Sequence, residues 1–288
     1  MILITGATGT NGLELIKLLS ARQMPARAMV RSAASAKAIA DLPGIEPVIG
    51  DFDDLASIER VLDRVEQAFL LTNSSERAQA QQIGFVEQAR RAGVKHIVKL
   101  SQFAADANSP VRFLRYHAVV ERAIETSGIA YTFLRPNLFM QGLLAFRASI
   151  QAQGRFFAAA GDARVSVVDV RDNAAAAAAA LTEPGHEGKV YDLTGPEALT
   201  HAEMAAALSE ALGRRITYVD VPPEGMRDAL LGAGFPQWQA DGLIEDYAHY
   251  RRNEASMITT GVEDATGRPP RDFATFLRDY ASAFSATD

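Results

Sequence analysis

The stretch Met1-Ile-Leu-Ile-Thr-Gly-Ala-Thr-Gly-Thr-Asn-Gly12 constrains the fold more than any other part of this chain. Ile2 to Ile4 is a short apolar run that reads as a buried strand. Thr5 to Gly12 is a tight turn, and Leu13 to Leu19 carries apolar residues at helical spacing. A strand, a glycine turn and a helix in that order form the phosphate end of a dinucleotide-binding βαβ unit. One glycine permits the sharp turn, one lets the backbone approach a pyrophosphate with no Cβ between, and one lets the helix pack close to the strand. The pyrophosphate then rests on unpaired N–H groups at the positive end of the helix. Gly6, Thr8, Gly9, Thr10, Asn11 and Gly12 are therefore the first candidate cofactor-binding residues. The spacing Gly6-x-x-Gly9-x-x-Gly12 is wider than G-x-G-x-x-G. The plainer alternative is a turn whose glycines serve only packing.

The strand-then-helix alternation continues. Strands are expected at Ala26–Val30, Glu46–Gly50, Gln67–Leu71, Lys95–Leu100 and Ala130–Leu134. Between them lie helical stretches at 33–41, 54–65, 76–92 and 113–126, with Asp53 or Asp54 placed to cap the second. Such alternation implies a doubly wound α/β fold of Rossmann type, a parallel sheet covered on both faces. After Pro136 the pattern loosens. A helix is expected over 138–153 and a short strand over 165–170. Asp172 and Asn173 can cap the helix that holds the seven-alanine run Ala174–Ala180, which reads as close helix packing. Strands at 189–193 and 216–221 flank a helix at 202–212, and the chain is helical from Pro222 onward. The expected division is a dinucleotide-binding domain over 1–137 and a smaller substrate-side α+β region over 138–288. Parts of 165–193 are free to rejoin the main sheet.

Bulk properties exclude several classes. The chain has 288 residues, 48% hydrophobic and 22% charged, as in ordinary globular proteins. A net charge of -6 without a long basic run argues against nucleic-acid partners. The absence of cysteine removes disulfides, thiolate catalysis and zinc–thiolate sites. The five histidines show no metal-type pairing, so no metal is expected. No secretory leader and no bilayer-length apolar stretch are apparent, which predicts a cytoplasmic enzyme or binding protein. A homodimer is left open.

The end of the second strand bears on which dinucleotide fits. An NAD site places Asp or Glu about 20 residues past the glycine turn, to bond the ribose 2′-hydroxyl. Here the strand ends Val30-Arg31-Ser32, and no acidic residue appears until Asp41. Arg31 is a candidate fork for a 2′-phosphate, with Ser32 as a hydroxyl donor and Lys37 as support. The missing carboxylate favours NADP(H). Asp51 and Phe52 follow the third strand, where they can bond the adenine amino group and pack near it. Thr72 and Asn73 end the fourth strand and should line the path to the nicotinamide, and Ser101 ends the fifth.

These residues resemble the NmrA-like group of atypical short-chain dehydrogenase/reductases, above all its NAD(P)H:quinone reductase and triphenylmethane reductase branch. The resemblance rests on Thr5-Gly-Ala-Thr-Gly-Thr-Asn-Gly12, Val30-Arg-Ser32, Gly128-Ile-Ala-Tyr-Thr-Phe-Leu-Arg-Pro-Asn137 and Asp192-Leu-Thr-Gly-Pro-Glu197, and runs over nearly the whole chain. It implies that Gly9, Thr10, Asn11 and Arg31 hold NADPH and that the second half shapes the substrate pocket.

Departures from the wider dehydrogenase pattern matter for mechanism. The proton-relay Tyr-x-x-x-Lys pair is absent, because Tyr116-His-Ala-Val-Val120 ends in valine. His117 fills the position at which isoflavone-reductase-type relatives carry a lysine. It could bond the nicotinamide ribose or donate to a substrate oxygen, with Glu121 one turn on to orient the ring. The plainer reading is a helix-surface His–Glu pair. Tyr116 is a packing or substrate contact, and Asn137 is placed to face the nicotinamide carboxamide. The candidate catalytic residues are thus His117, Asn137 and Tyr116. Phe139, Met140, Phe146, Phe156 and Trp238 could wall a flat ring, though each alone fits plain core. Two functions follow: an NADPH-dependent reductase of a quinone or similar conjugated aromatic acceptor, or a cofactor-binding redox sensor without turnover.

Overall fold

The computed structural model describes residues 1–285. Its first half is a strict alternation of β1 (Ile2–Ile4), α1 (Thr10–Ala21), β2 (Ala26–Val30), α2 (Ala33–Lys37), β3 (Ile45–Ile49), α3 (Leu55–Val61), β4 (Gln67–Leu70), α4 (Ala78–Ala92), β5 (His96–Leu100), α5 (Arg112–Ser127) and β6 (Ala130–Pro136). Glycines stop α4 and α5: Gly93 and Gly128 both take the left-handed conformation that ends a helix. Asp54 caps α3 by accepting from the N–H groups of Ala56 and Ser57.

The second half comprises a 3₁₀ turn at Met140–Phe146, α6 (Arg147–Gln153), β7 (Arg155–Ala158), β8 (Arg164–Val165), α7 (Val170–Thr182), β9 (Lys189–Leu193), β10 (Leu199–Thr200), α8 (His201–Leu212), β11 (Thr217–Asp220), α9 (Pro223–Gly232), α10 (Gln237–Arg251), α11 (Gly261–Thr266) and α12 (Phe273–Phe284). The sheet order is β3-β2-β1-β4-β5-β6-β9, with every pairing parallel. Strand order reverses between β1 and β4, so the crevice for a ligand opens above their carboxyl ends.

Three sequence expectations change. The single helix over 138–153 is a 3₁₀ turn followed by α6. The strand over 165–170 shrinks to β8, and α7 begins at Val170 because Asp169 caps it, accepting from the Arg171 N–H. Asp172 and Asn173 sit inside α7 instead, where Asp172 pairs with Arg271 and Asn173 donates to Asn11.

Among the described residues of the second half only β9 joins the main sheet, whereas β8 pairs with β10. β9 pairs with β6 from Thr132↔Lys189 to Pro136↔Leu193. Helix α7 packs on α1 through its alanines, whose short side chains allow the two helices to approach closely. One core cluster lies under α1 and α7, and a second lies between the sheet and α3, α4 and α5. A third, built from Phe156, Met204, Leu208, Phe273, Phe276 and their neighbours, holds the substrate-side region together. Among the described residues no helix is long and apolar enough to cross a membrane.

Candidate active site

The glycine turn takes its shape from two backbone positions. Gly6 has φ +63°, and an added Cβ would lie 2.9 Å from Leu71 Cγ. At Gly12 a Cβ would lie 2.1 Å from the Gly6 carbonyl oxygen, so the helix meets the turn with no room for a side chain. Thr5 Oγ1 accepts from the Leu71 N–H at 2.8 Å and donates to the Phe69 carbonyl at 2.9 Å, pinning the ends of β1 and β4. The first turn of α1 has no side-chain cap: Gly9 is its N-cap and has nothing to offer. Its free N–H groups form a seat for an anion.

That seat opens into a cleft of about 900 Å³ above the carboxyl ends of the strands. Gly6, Thr8, Gly9, Thr10, Asn11, Arg31, Asp51, Phe52, Thr72, Asn73, Ser101, Tyr116, His117 and Asn137 all line it. Three expected cofactor residues do not. Gly12 is enclosed by the turn. Ser32 caps α2, its Oγ accepting from the Ser35 N–H at 3.2 Å, and Ser35 reaches the cleft in its place. Lys37 lies in the last turn of the short α2 and does not line the cleft. Arg31 has no hydrogen-bonded or ionic partner among the described residues, and no carboxylate stands at the end of β2. Its free guanidinium suits a 2′-phosphate.

The far end of the cleft differs from expectation. Glu121 does not orient His117; it forms a two-point ion pair with Arg135 of β6, at 2.9 and 2.5 Å. His117 Nδ1 instead lies 2.7 Å from Lys99 Nζ, a fully buried amine on β5. Burial pushes Lys99 down to about 7 against the opposing pull of Glu121. Burial, then the Lys99 charge, holds His117 well below its ordinary value, so the ring is neutral near pH 7. With Nζ donating to Nδ1, the ring proton sits on Nε2.

Tyr116 packs against the His117 ring with centroids 4.2 Å apart, and its hydroxyl lies 3.1 Å from Ser74 Oγ. Burial raises its phenol far above the usual range, so the hydroxyl stays protonated and neutral near pH 7. Both Nδ2 hydrogens of Asn137 are engaged, by Ser166 Oγ and the Ala255 carbonyl, and Oδ1 accepts from the Leu138 N–H. The amide therefore braces the loops around Ser166 and Ala255 and has no donor left for a carboxamide oxygen. Ser101 Oγ, by contrast, is buried at the cleft wall with no partner among the described residues. An orphaned hydroxyl there, an uncapped helix end and a free guanidinium are three groups that a phosphorylated dinucleotide would satisfy.

Of the expected ring walls, Phe139 lines the cleft. Met140, Phe146 and Phe156 line a separate apolar pocket behind it. Trp238 lines neither, because it packs on Phe113 and lies under the Arg112 guanidinium. The roof is Leu243, Asp246, His249 and Tyr250 of α10, residues without a local sequence signature. Lys99 did carry one, as a charged residue inside a strand buried on both faces. Among the described residues no group of three His, Cys, Asp or Glu side chains could hold a metal.

Comparison with known proteins agrees with this architecture. Residues 1–268 match the NmrA-like family. An NAD(P)H azoreductase of Xenophilus azovorans is 38% identical over 286 residues, covering 99% of this chain and 100% of its own. The structure of an NADPH-dependent quinone oxidoreductase of Escherichia coli complexed with NADPH superposes with a TM-score of 0.87 at 32% identity, covering 98% of this chain and 100% of that one. The Citrobacter triphenylmethane reductase complexed with NADP(H) gives a TM-score of 0.82 at 30% identity, covering 96% and 98%. On the breadth of these matches, the chain belongs to the NmrA-like family.

Proposed function

We propose that this protein is an NADPH-dependent reductase that passes hydride to a conjugated acceptor of quinone or azo-dye type. The observation that carries the reading is one continuous cleft. It runs from Arg31, unpaired among the described residues, past the uncapped first turn of α1, to Ser101 and His117 and the α10 roof of Leu243, Asp246, His249 and Tyr250. Thr8, Gly9, Thr10 and Asn11 hold the pyrophosphate, Arg31 and Ser35 the 2′-phosphate, and Asp51 and Phe52 the adenine. Thr72, Asn73, Ser101 and His117 carry the nicotinamide half. A bound nicotinamide supplies the hydride. The chain supplies orientation and a neutral His117 whose Nε2–H meets the ribose or the acceptor. The relatives named as an azoreductase and a quinone oxidoreductase support this acceptor class.

The second reading is a cofactor-binding redox sensor, favoured by the valine at position 120 where the proton-relay lysine would stand. Turnover separates the two. Steady NADPH oxidation with a panel of quinones and azo dyes, exceeding that of NADH, supports the reductase. NADPH binding that raises the melting temperature without consumption by any acceptor supports the sensor.

A further inference from the structure

Asp246 is a carboxyl group placed where a reductase of this shape needs a proton. It lies on α10 and lines the cleft, yet the residue is only 6% exposed. Its one hydrogen-bond donor among the described residues is Gln102 Nε2, 3.0 Å from each carboxylate oxygen. Gln102 directly follows Ser101 at the carboxyl end of β5, so the carboxyl hangs over the half of the cleft assigned above to the nicotinamide.

No cation among the described residues neutralises it. On α10 itself Glu245 is bound to Arg112, Tyr247 is a half-buried and Tyr250 a buried phenol, and His249 Nδ1 faces Glu254 at 2.6 Å. On α5, Arg112 is held by Glu245, while Tyr116 and His117 are uncharged near pH 7. On α9, Arg227 pairs with Asp241, and on β8, Arg164 pairs with Glu203. A buried carboxylate with one amide donor and no counter-charge is costly, and the group relieves that cost by keeping its proton.

We propose that Asp246 is the proton donor to the acceptor, a role that rests on the reductase reading. Hydride delivered to one end of a quinone leaves an electron pair on the oxygen at the other end. The Asp246 O–H bond breaks as that oxygen gains its proton, giving the hydroquinone, and the carboxylate regains a proton from solvent in the open cleft. Two electrons and two protons are thereby accounted for, one proton travelling with the hydride. Burial, opposed by the Gln102 hydrogen bond, raises the carboxyl to about 7, the range in which a donor is most effective.

The test has two readouts. Infrared spectra of the protein alone across pH 5 to 9, wild type minus Asp246→Asn, should contain a protonated-carboxyl band that disappears with a midpoint near neutrality. A carboxyl ionised throughout that range overturns the proposal, and this readout needs no cofactor. In NADPH oxidation with 1,4-naphthoquinone, wild-type kcat should fall above neutral pH, and D246N should lose roughly 10²- to 10⁴-fold in kcat together with that limb. A variant with kcat within threefold of wild type and the same pH profile overturns the donor role and leaves the reductase reading standing. Failure of the wild type to oxidise NADPH with any acceptor overturns the reductase reading and the donor role with it.

Discussion

Lys99 and His117 form a buried contact of 2.7 Å between two bases, one on β5 and one on α5. With Lys99 held down to about 7 by burial and His117 lower still, the pair carries at most one proton near neutrality.

This pair makes a prediction about stability. The unfolded lysine keeps a pKa near 10.4, so between pH 7 and 10 the unfolded chain binds a proton that the folded chain does not. Stability from this site therefore rises with pH across that window and is lowest below 7. Replacing Lys99 by Met removes an ionisation penalty on the order of 4 kcal/mol below pH 7, offset by about 1–3 kcal/mol for the orphaned His117 Nδ1. In denaturant titrations the stability of Lys99→Met relative to wild type should be greatest at pH 6 and fall steadily towards pH 10. A pH-independent difference would contradict the protonation scheme.

Arg31 is expected to govern the choice of cofactor. Its guanidinium has no partner among the described residues, so Arg31→Ala should leave the melting temperature of the free protein unchanged. Loss of charge-assisted hydrogen bonds to a 2′-phosphate should weaken NADPH binding roughly 10- to 100-fold. NADH, which lacks that phosphate, should bind the two proteins alike. Parallel titrations of both nucleotides check this, and equal losses for NADH and NADPH would remove Arg31 from the phosphate site.

Local features were legible in the sequence, and contacts made across the fold were not. Gly6 and Gly12 announce their turn because the backbone needs both within seven residues. Arg31 was readable because the informative fact, a missing carboxylate, lies on the same strand. The Lys99–His117 contact joins residues 18 apart, and Gln102–Asp246 joins residues 144 apart, so neither has a spacing to detect. Glu121 was assigned to His117 because helical periodicity brings positions four apart together. Tertiary packing offered it a stronger partner in Arg135, a two-point guanidinium on the neighbouring strand. The bonds that hold the Asn137 amide were equally out of reach of the sequence, because Ser166 and Ala255 come from the other half of the chain.

The glycines of the turn should separate folding from binding. Gly12→Ala drives a Cβ to 2.1 Å from the Gly6 oxygen, an overlap that only a shift of α1 relieves. It should cost about 1–3 kcal/mol and lower the melting temperature with or without NADPH. At Gly9 the nearest atom to an added Cβ is 3.4 Å away, and the backbone is extended. Gly9→Ala should therefore melt close to wild type yet show a much smaller NADPH-induced rise, because the methyl group occupies the approach to the pyrophosphate seat. Equal behaviour of the two variants would refute the division of roles.

Glu121 should couple to Lys99 and not to His117. Its carboxylate raises the Lys99 pKa through space while its hydrogen bonds hold Arg135. Glu121→Gln keeps an acceptor for Arg135 but removes the charge, so Lys99 should deprotonate at still lower pH. The window in which wild-type Lys99 gains stability with pH should then open below 7, and the Lys99→Met advantage at pH 6 should grow in the Glu121→Gln background. A double-mutant cycle at pH 6 measures this directly, with a coupling on the order of 0.5 kcal/mol expected for two charges that interact through space within one ionic network. Additive effects of the two substitutions would mean that Glu121 acts on Arg135 alone and that the Lys99 proton is set by burial without help from the ion pair.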